Sequence, residues 1–162
     1  MIYEPEKDSF LLSKILREIL PNLLRKKPNL TFLEIGAGSG IQLQTAMDSG
    51  VKKENIFAVD TNLIAVNHCI EKGFNCIKSN LFEKVVGKFD LIIFNPPYLP
   101  EDKEEPLDSK LETTGGKQGG EIINKFLKRA KAHLNYQGMI LLLVSDLTKG
   151  INFKNIKFDS LL

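Results

Sequence analysis

Along this 162-residue chain, stretches with apolar residues at helical spacing alternate with short, almost continuous apolar runs. These stretches define its predicted helices and strands. Over residues 6–20 the apolar side chains recur at helical spacing and form one stripe, which predicts a first helix. Pro21 is expected to end or kink that helix. Almost continuous apolar runs predict buried strands at 30–35, 55–59, 74–78, 89–94 and 138–144. Helical spacing predicts further helices at 41–48, 63–72 and 121–134.

Strands that alternate with helices predict an α/β fold, with a mostly parallel sheet and helices on both of its faces. No internal repeat or change of composition divides the chain, which predicts a single domain over residues 1–162. Residues 99–118 are rich in charge, Pro and Gly and lack a hydrophobic period. They predict a long loop of the kind that often covers a functional site. One more weak strand is predicted at 156–161.

Composition argues against several classes of protein. The formal net charge of +2 gives no sign of a polyanionic partner, so direct nucleic-acid binding is not expected. No apolar run reaches the roughly 18 residues of a membrane span, and the polar, acidic N-terminus is unlike a signal peptide. Cys69 and Cys76 lack the paired spacing of a metal site, so no bound metal is expected. They predict reduced core thiols, and therefore a cytoplasmic protein.

A glycine cluster follows the first predicted strand. Gly36, Gly38 and Gly40 allow a tight turn and let a ligand approach the backbone, although a plain strand–helix turn uses the same residues. Glu34 lies two residues before the cluster, and Asp60 ends the second strand, where a carboxylate accepts hydrogen bonds from ribose hydroxyls. The GxGxG spacing differs from the GxGxxG of dinucleotide-binding folds, which disfavours NAD.

The candidate reactive segment is Asn95-Pro96-Pro97-Tyr98, directly after the fourth strand. Two consecutive prolines end the strand and stiffen the turn at its carboxyl end, where open α/β sheets bind ligands. An amide oxygen, rigid carbonyls and an aromatic ring suit a planar NH2 group, and the motif offers no obvious nucleophile or general base. It predicts that the Asn95 oxygen and the Pro96 carbonyl orient a nitrogen for alkylation, with Tyr98 packed over the target group. An ordinary strand end stopped by proline is the alternative.

The ExGxGxG segment, the Asp60 carboxylate and the NPPY motif together resemble the class I S-adenosylmethionine-dependent methyltransferases. Within that class they resemble the amino-methyltransferases with an (N/D)PP(Y/F) motif. The resemblance implies a Rossmann-like sheet and S-adenosylmethionine as the methyl donor, with the glycine loop against its methionine part and Asp60 on its ribose. It also implies adenine contacts from the end of the third strand, at Ser79, Asn80 and Leu81. The family usually has Asp where this chain has Asn80.

The N-terminal segment YEPEKDSFLL, residues 3–12, resembles the YEPAEDTFLL opening of the HemK-like glutamine methyltransferases of archaea and eukaryotes. Those enzymes methylate the glutamine of the GGQ loop in class I translation release factors, so the resemblance implies this substrate. It also implies that Ser9, at the position of the family's Thr, and its neighbours help to hold the carboxylate end of the cofactor. A capped packing helix is the alternative for this segment.

The resemblance further implies a partner, a small zinc-binding activator protein of the Trm family. The third strand is expected at a sheet edge, and its run from Phe74 to Lys78 is apolar for an unprotected edge. We expect the activator to pair with this edge, unless the chain's own loops cover it. The chain departs from the family pattern in lacking a Trp before Gly115 and in its shortened C-terminus.

Three other functions remain open. An amino-methyltransferase acting on adenine in DNA or RNA would use the same motif, but such enzymes usually need a recognition domain or a basic groove to bind an extruded base. A non-catalytic subunit with the cofactor fold is a second alternative, against which the intact Glu34, Asp60 and Asn95 argue. A lysine methyltransferase is the third, although Asn95 and Pro96 fit a planar NH2 group better than an ammonium.

Overall fold

The described part of this computed structural model comprises residues 5–97, 119–146 and 148–154. Helices and strands alternate along it, as predicted, except that no helix separates β3 from β4. Short 3-10 turns at Lys53–Asn55 and Lys131–His133 precede β2 and β5. The elements are α1 (Lys7–Lys26), β1 (Phe32–Ile35), α2 (Ile41–Asp48), β2 (Ile56–Asp60), α3 (Leu63–Glu71), β3 (Asn75–Lys78), β4 (Phe89–Phe94), α4 (Glu121–Ala130) and β5 (Leu134–Leu142).

The chain divides into two compact units. The first, Met1–Asn95 with Arg129–Leu143, contains all of the strands named above. The second is Pro96–Lys128 with Val144–Leu162. In the second unit the side chain of Asn124 donates to the carbonyl of Gly150 at 2.8 Å and accepts from the N–H of Asn152 at 2.8 Å. The single domain expected from the composition stays a prediction.

The sheet has the strand order β3-β2-β1-β4-β5, and each of these pairings is parallel. The predicted α/β fold with a mostly parallel sheet is confirmed. The chain runs outward from β1 to β3 and then crosses back to β4, so the strand order reverses between β1 and β4. Ile35, the last residue of β1, pairs with Phe94, the last residue of β4. Open sheets bind ligands at such a switch point, beyond the carboxyl ends of the strands.

Pro21 was expected to end or kink α1, and it does not end the helix. The helix continues to Lys26 with Pro21 inside it. Proline in a helix interior costs about 3 kcal/mol, because one hydrogen bond is lost and the ring clashes with the preceding turn. Leu20 before it is fully buried, and Leu23 and Leu24 after it pack against the core. Burial of these leucines offsets that cost and keeps the last turns helical.

The start of β5 also differs from the prediction. Residues 131–134 were expected to be helical, but α4 ends at Ala130 and the strand begins at Leu134. The pairing with β4 shifts register between Phe89 and Leu91, and Gln137 in the bulge has φ 59°. Pairing with β4 therefore overrides the helical spacing of the sequence, since the extra residues are accommodated by a bulge. Among the described residues, no helix is long and apolar enough to cross a membrane.

Asp90, near the amino end of β4, hydrogen-bonds residues that precede β1 and a residue of β5. Its carboxylate accepts hydrogen bonds from the N–H and hydroxyl of Thr31, at 2.9 and 3.0 Å, and from the side chain of Asn135 at 2.8 Å. Lys27 adds an ion pair. Burial alone would raise the pKa of Asp90, but the bonds from Lys27, Thr31 and Asn135 together lower it below its usual value.

Replacing Asp90 by Asn is expected to lower the free energy of unfolding by about 1–3 kcal/mol at neutral pH. The folded-state pKa lies below that of the unfolded chain, so the stabilisation is fully present above the unfolded value, about 3.9, and is lost as the pH falls through the folded one. Urea unfolding of both proteins at neutral and acidic pH measures this difference. Asp48→Asn, on an exposed helix position, is the control. A difference of the same size at all pH values would contradict the ionic role.

Candidate active site

The glycine loop lies at the carboxyl end of β1. It is held to β2 by the N–H groups of Gly36 and Ala37, which both donate to the carbonyl of Val59 at 2.8 and 3.1 Å. Gly36 and Gly40 have φ values of 76° and 75°, a conformation that favours glycine. A Cβ at Gly40 would lie 3.2 Å from the Cys69 sulfur. The loop backbone is therefore specified by glycine, and Gly36 is exposed beside the switch point.

Asp60, the last residue of β2, has a carboxylate with a fixed orientation. Its Oδ2 accepts from the N–H of Gly38 at 2.9 Å, and its Oδ1 accepts from the N–H of Asn62 at 2.8 Å. Each carboxylate oxygen retains capacity for another donor, such as a hydroxyl. The structure thus places Asp60 in direct contact with the glycine loop, and its role toward a ribose stays a prediction.

Glu34 is buried in the middle of the sheet, on β1, with 3% of its surface exposed. Its Oε2 has no hydrogen-bond partner within residues 5–97, 119–146 and 148–154. Burial, together with the negative charge of Cys69 and Asp60, raises the pKa of this carboxyl well above its usual range. A buried acceptor without a partner is costly and calls for a donor or a cation from a ligand.

Residues 79–81, beyond β3, form a tight turn against β2. The N–H of Ser79 donates to the carbonyl of Asp60 at 2.9 Å, and the Ser79 hydroxyl accepts from the N–H of Lys84 at 3.0 Å. Asn80 is exposed and donates to Glu83 at 3.0 Å. Leu81 has φ 48°, which is uncommon for a side chain of its size. The adenine contacts of Ser79, Asn80 and Leu81 stay a prediction.

Asn95 follows β4, and its carboxamide contacts a residue 87 positions earlier in the chain. Its Nδ2 donates to Oδ2 of Asp8 at 2.8 Å. Its Oδ1 is buried and has no hydrogen-bond partner among the described residues. Oδ1 of Asn95 is therefore an acceptor at the switch point that none of the described residues uses. Pro96 and Pro97 come next in the chain and begin the second unit, and Tyr98 lies outside the described residues.

Ser9 is buried at the start of α1, and its backbone is anchored to α2. The side chain of Gln42 donates to the Ser9 carbonyl at 2.8 Å. Gln42 in turn accepts from the hydroxyl of Ser13 at 2.9 Å, and Ser13 accepts from Thr45 at 3.3 Å. This buried polar network fixes the amino end of α1 beside the helix that follows the glycine loop. The role of Ser9 toward the cofactor stays a prediction.

Comparison with known proteins identifies the family. The family model described as Eco57I restriction-modification methylase matches residues 7–157. A protein of Methanocaldococcus jannaschii, named a putative protein N5-glutamine methyltransferase, is 40% identical over 155 residues, which cover 91% of this chain and 74% of the relative. The chain belongs to the HemK-like class I methyltransferases.

A second relative of this methyltransferase is the release factor glutamine methyltransferase of Agrobacterium fabrum. It is 30% identical over 115 residues, and the match spans 67% of this chain but 40% of the relative. Among solved structures, SAM-bound CalS10, an amino pentose methyltransferase from Micromonospora echinaspora, has a TM-score of 0.56 and 10% identity over 88% of this chain and 57% of that one. At this identity the likeness concerns the fold. The predicted family and its methyl donor, S-adenosylmethionine, are confirmed.

The residues present in this methyltransferase fit S-adenosylmethionine. Asp60 offers acceptors for two ribose hydroxyls, and the exposed backbone of Gly36 leaves room beside it. Oε2 of Glu34, buried without a partner in the described part of the chain, suits a positively charged group, which the amino acid end of the cofactor carries. The role of Glu34 toward the cofactor stays a prediction.

The contact between Asp8, a neighbour of Ser9, and Asn95 was not predicted from the sequence. Asp8 lies in the first turn of α1, within the helix predicted over residues 6–20. Its partner, Asn95, is 87 residues away in the chain. The N-terminal segment and the NPPY motif, considered separately, do not predict a contact between these two side chains.

Proposed function

We propose that this methyltransferase transfers a methyl group from S-adenosylmethionine to the side-chain amide nitrogen of the glutamine in the GGQ motif of a class I translation release factor. The observation that carries the proposal is Oδ1 of Asn95, a buried acceptor at the switch point that has no hydrogen-bond partner among the described residues. The names of the archaeal and bacterial relatives support a glutamine substrate. Such a substrate would place the reaction in the cytoplasm, where translation terminates.

The chemistry required is the activation of a weak nucleophile. An amide nitrogen has its lone pair delocalised into the carbonyl, and S-adenosylmethionine supplies an electrophilic methyl group on a sulfonium. Oδ1 of Asn95 would accept a hydrogen bond from the substrate NH2 and fix the direction of its lone pair. The same bond strengthens as positive charge develops on the nitrogen, so it stabilises the transition state more than the ground state. The carbonyl of Pro96 is the predicted second acceptor.

Methylation of adenine is the second candidate, and the match to the Eco57I family model favours it. The exocyclic amine of adenine is also a planar NH2 group with a delocalised lone pair. The acceptor at Asn95 would serve it in the same way. The two substrates therefore differ in what surrounds the NH2 group, and not in the reacting chemistry.

One experiment separates these functions. Tritiated S-adenosylmethionine is offered with a release factor, with the same factor carrying a GGQ glutamine substitution, and with duplex DNA. The proposed function requires label on the unsubstituted factor alone. Label on DNA would establish the adenine function. Label that persists on the factor after the glutamine is substituted would place the methyl group elsewhere on the factor. Cofactor binding without label on any substrate would indicate a non-catalytic subunit.

We also infer that a zinc-binding activator pairs with the edge of β3. This strand lies at the end of the sheet and pairs with β2 on one side. Phe74 and Cys76 are buried, whereas Ile77 is 40% exposed. An exposed apolar side chain on an edge strand favours pairing with another chain.

Replacing Ile77 by Asp is expected to reduce co-purification of the activator by roughly tenfold or more, as for an apolar residue at the centre of an interface. The affinity for S-adenosylmethionine should not change, because β3 pairs with β2 through its backbone. Co-expression with the activator and quantification of the recovered complex measure the effect. Tyr136→Asp, 88% exposed on β5 at the opposite edge, is the matched control. Equal recovery from both variants would rule out the β3 edge as the interface.

A further inference from the structure

The side-chain amide of Asn95 has two ends with opposite hydrogen-bonding character. Only the oxygen end can accept from a substrate NH2, whereas the nitrogen end would set one donor against another. A rotation of the amide by half a turn exchanges the two ends with little change in shape. The methyl-transfer site therefore needs a neighbour that distinguishes them.

We propose that Asp8 is a positioning residue for methyl transfer, which fixes the carboxamide of Asn95 with its oxygen toward the substrate; this rests on the proposed function of Asn95. A carboxylate has acceptors only, and Oδ2 of Asp8 lies 2.8 Å from Nδ2 of Asn95. In the rotated state two oxygen atoms would face each other at that distance and repel. The contact with Asp8 thus selects one orientation and leaves Oδ1 as the free end.

Asp8 is itself held by the fold. Its other oxygen, Oδ1, accepts from the N–H of Ser9 at 2.7 Å in the first turn of α1. The Ser9 carbonyl is bound by the buried side chain of Gln42, which comes from α2. The carboxylate is therefore oriented from its own helix and is not free to follow Asn95. A rigid neighbour of this kind determines the orientation of the amide.

The negative charge of Asp8 has a second consequence for the reaction. An amide that donates to a carboxylate is polarised, and its oxygen becomes a stronger acceptor. A carboxylate close to the site also stabilises the positive charge that develops on the methylated nitrogen. Both effects act on the transition state, so they concern kcat more than cofactor binding.

The variant Asp8→Asn tests the proposal with little change of shape. The new amide has one oxygen for two donors, the Ser9 N–H and the Asn95 side chain. We expect kcat on the release factor to fall roughly 10- to 100-fold, the effect of one hydrogen bond to a charged group. The dissociation constant of S-adenosylmethionine should change much less than kcat, within about threefold, since Asp8 acts here through Asn95 and Asn95 acts in the transition state. Asp48→Asn, which alters an exposed hydrogen bond to Gln44, is the matched control.

An exchange of the two side chains separates positioning from packing. Asn95→Asp alone places two carboxylates against each other, and we expect its activity to depend steeply on pH because the pair must share a proton. Asp8→Asn together with Asn95→Asp restores one donor and one acceptor and leaves an oxygen toward the substrate. The double variant should be roughly tenfold faster than Asn95→Asp and should lose the added pH dependence. Additive losses, without this recovery, would overturn the proposal.

A measurement on the protein without substrate tests the role of Asp8 independently of the proposed methylation of a release factor. In the free protein the side-chain N–H protons of Asn95 should exchange slowly with water, and Asp8→Asn should shift their NMR signals and speed that exchange. Fast exchange in the unsubstituted protein would overturn the proposal even if the variant failed to fold. A kcat for Asp8→Asn within twofold of the parent would do the same. Slow exchange without methylation of the factor would refute the substrate and retain the role of Asp8.

Discussion

Replacing Asn95 by alanine is expected to lower kcat for methyl transfer roughly 100- to 1,000-fold, the usual effect of removing one group that stabilises transition-state charge. The affinity for S-adenosylmethionine should change by only a few-fold, because the glycine loop, Glu34 and Asp60 remain in place. Oδ1 of Asn95 is the buried acceptor without a partner among the described residues, and the variant removes it. Single-turnover kinetics together with calorimetric titration of the cofactor measure the two quantities separately.

Asn55→Ala serves as the matched control for this variant. Asn55 makes a side-chain bond to the Asn29 carbonyl at 3.3 Å, at the amino end of β2 and far from the switch point in the sheet. It should leave both kcat and cofactor affinity unchanged. Should Asn95→Ala retain the rate of the parent protein, Asn95 would have no part in the chemistry, and the proposed mechanism would fail with it.

Replacing Glu34 by Gln is expected to weaken S-adenosylmethionine binding by roughly 30-fold or more, because loss of one partner of a buried charge pair costs at least about 2 kcal/mol. The same change should stabilise the cofactor-free protein. The pKa of Glu34 is raised in the folded state, so the folded protein binds more protons than the unfolded chain. Its stability therefore falls as the pH rises from the unfolded pKa through the folded one, and Glu34→Gln removes that loss.

The raised pKa also predicts how cofactor binding depends on pH. A cation is bound by the carboxylate form of Glu34, so protons compete with the cofactor below the raised pKa. Affinity should increase with pH across that pKa, and binding should release protons. Calorimetry in buffers of different ionisation enthalpy counts the released protons. Glu18→Gln, on the exposed side of α1, is the control. An unchanged affinity in Glu34→Gln would exclude this residue from the cofactor site.

Much of the site could be predicted because its chemistry lies at strand ends. The helix over residues 41–48 and the strand over 89–94 match the predicted bounds, since their apolar patterns and flanking glycine and proline are local signals. Gly36 and Asn95 each follow directly on a buried strand, and Asp60 is the last residue of one. In a parallel sheet the carboxyl ends of neighbouring strands lie together, so the order of strands was enough to bring these residues to one edge.

The remaining features depend on tertiary contacts that no local pattern contains. The helix passes through Pro21 because buried leucines on both sides favour it, and β5 starts early because β4 offers pairing partners. The positive φ of Leu81 results from the turn that Ser79 makes against β2, and not from the preference of leucine. The contact between Asp8 and Asn95 joins two segments whose sequences carry no mutual signal.

The sequence separation of the Asp8–Asn95 bond has a consequence for the order in which the protein folds. Glu34, the glycine loop and Asp60 lie within one stretch of β1, α2 and β2, whose contacts close short loops. The bond to Asn95 closes a loop of 87 residues and requires β4 to have been inserted beside β1. Contacts between distant segments carry the larger loop-closure entropy and form later. On gradual destabilisation, methyl transfer should therefore be lost while the chain still binds its cofactor.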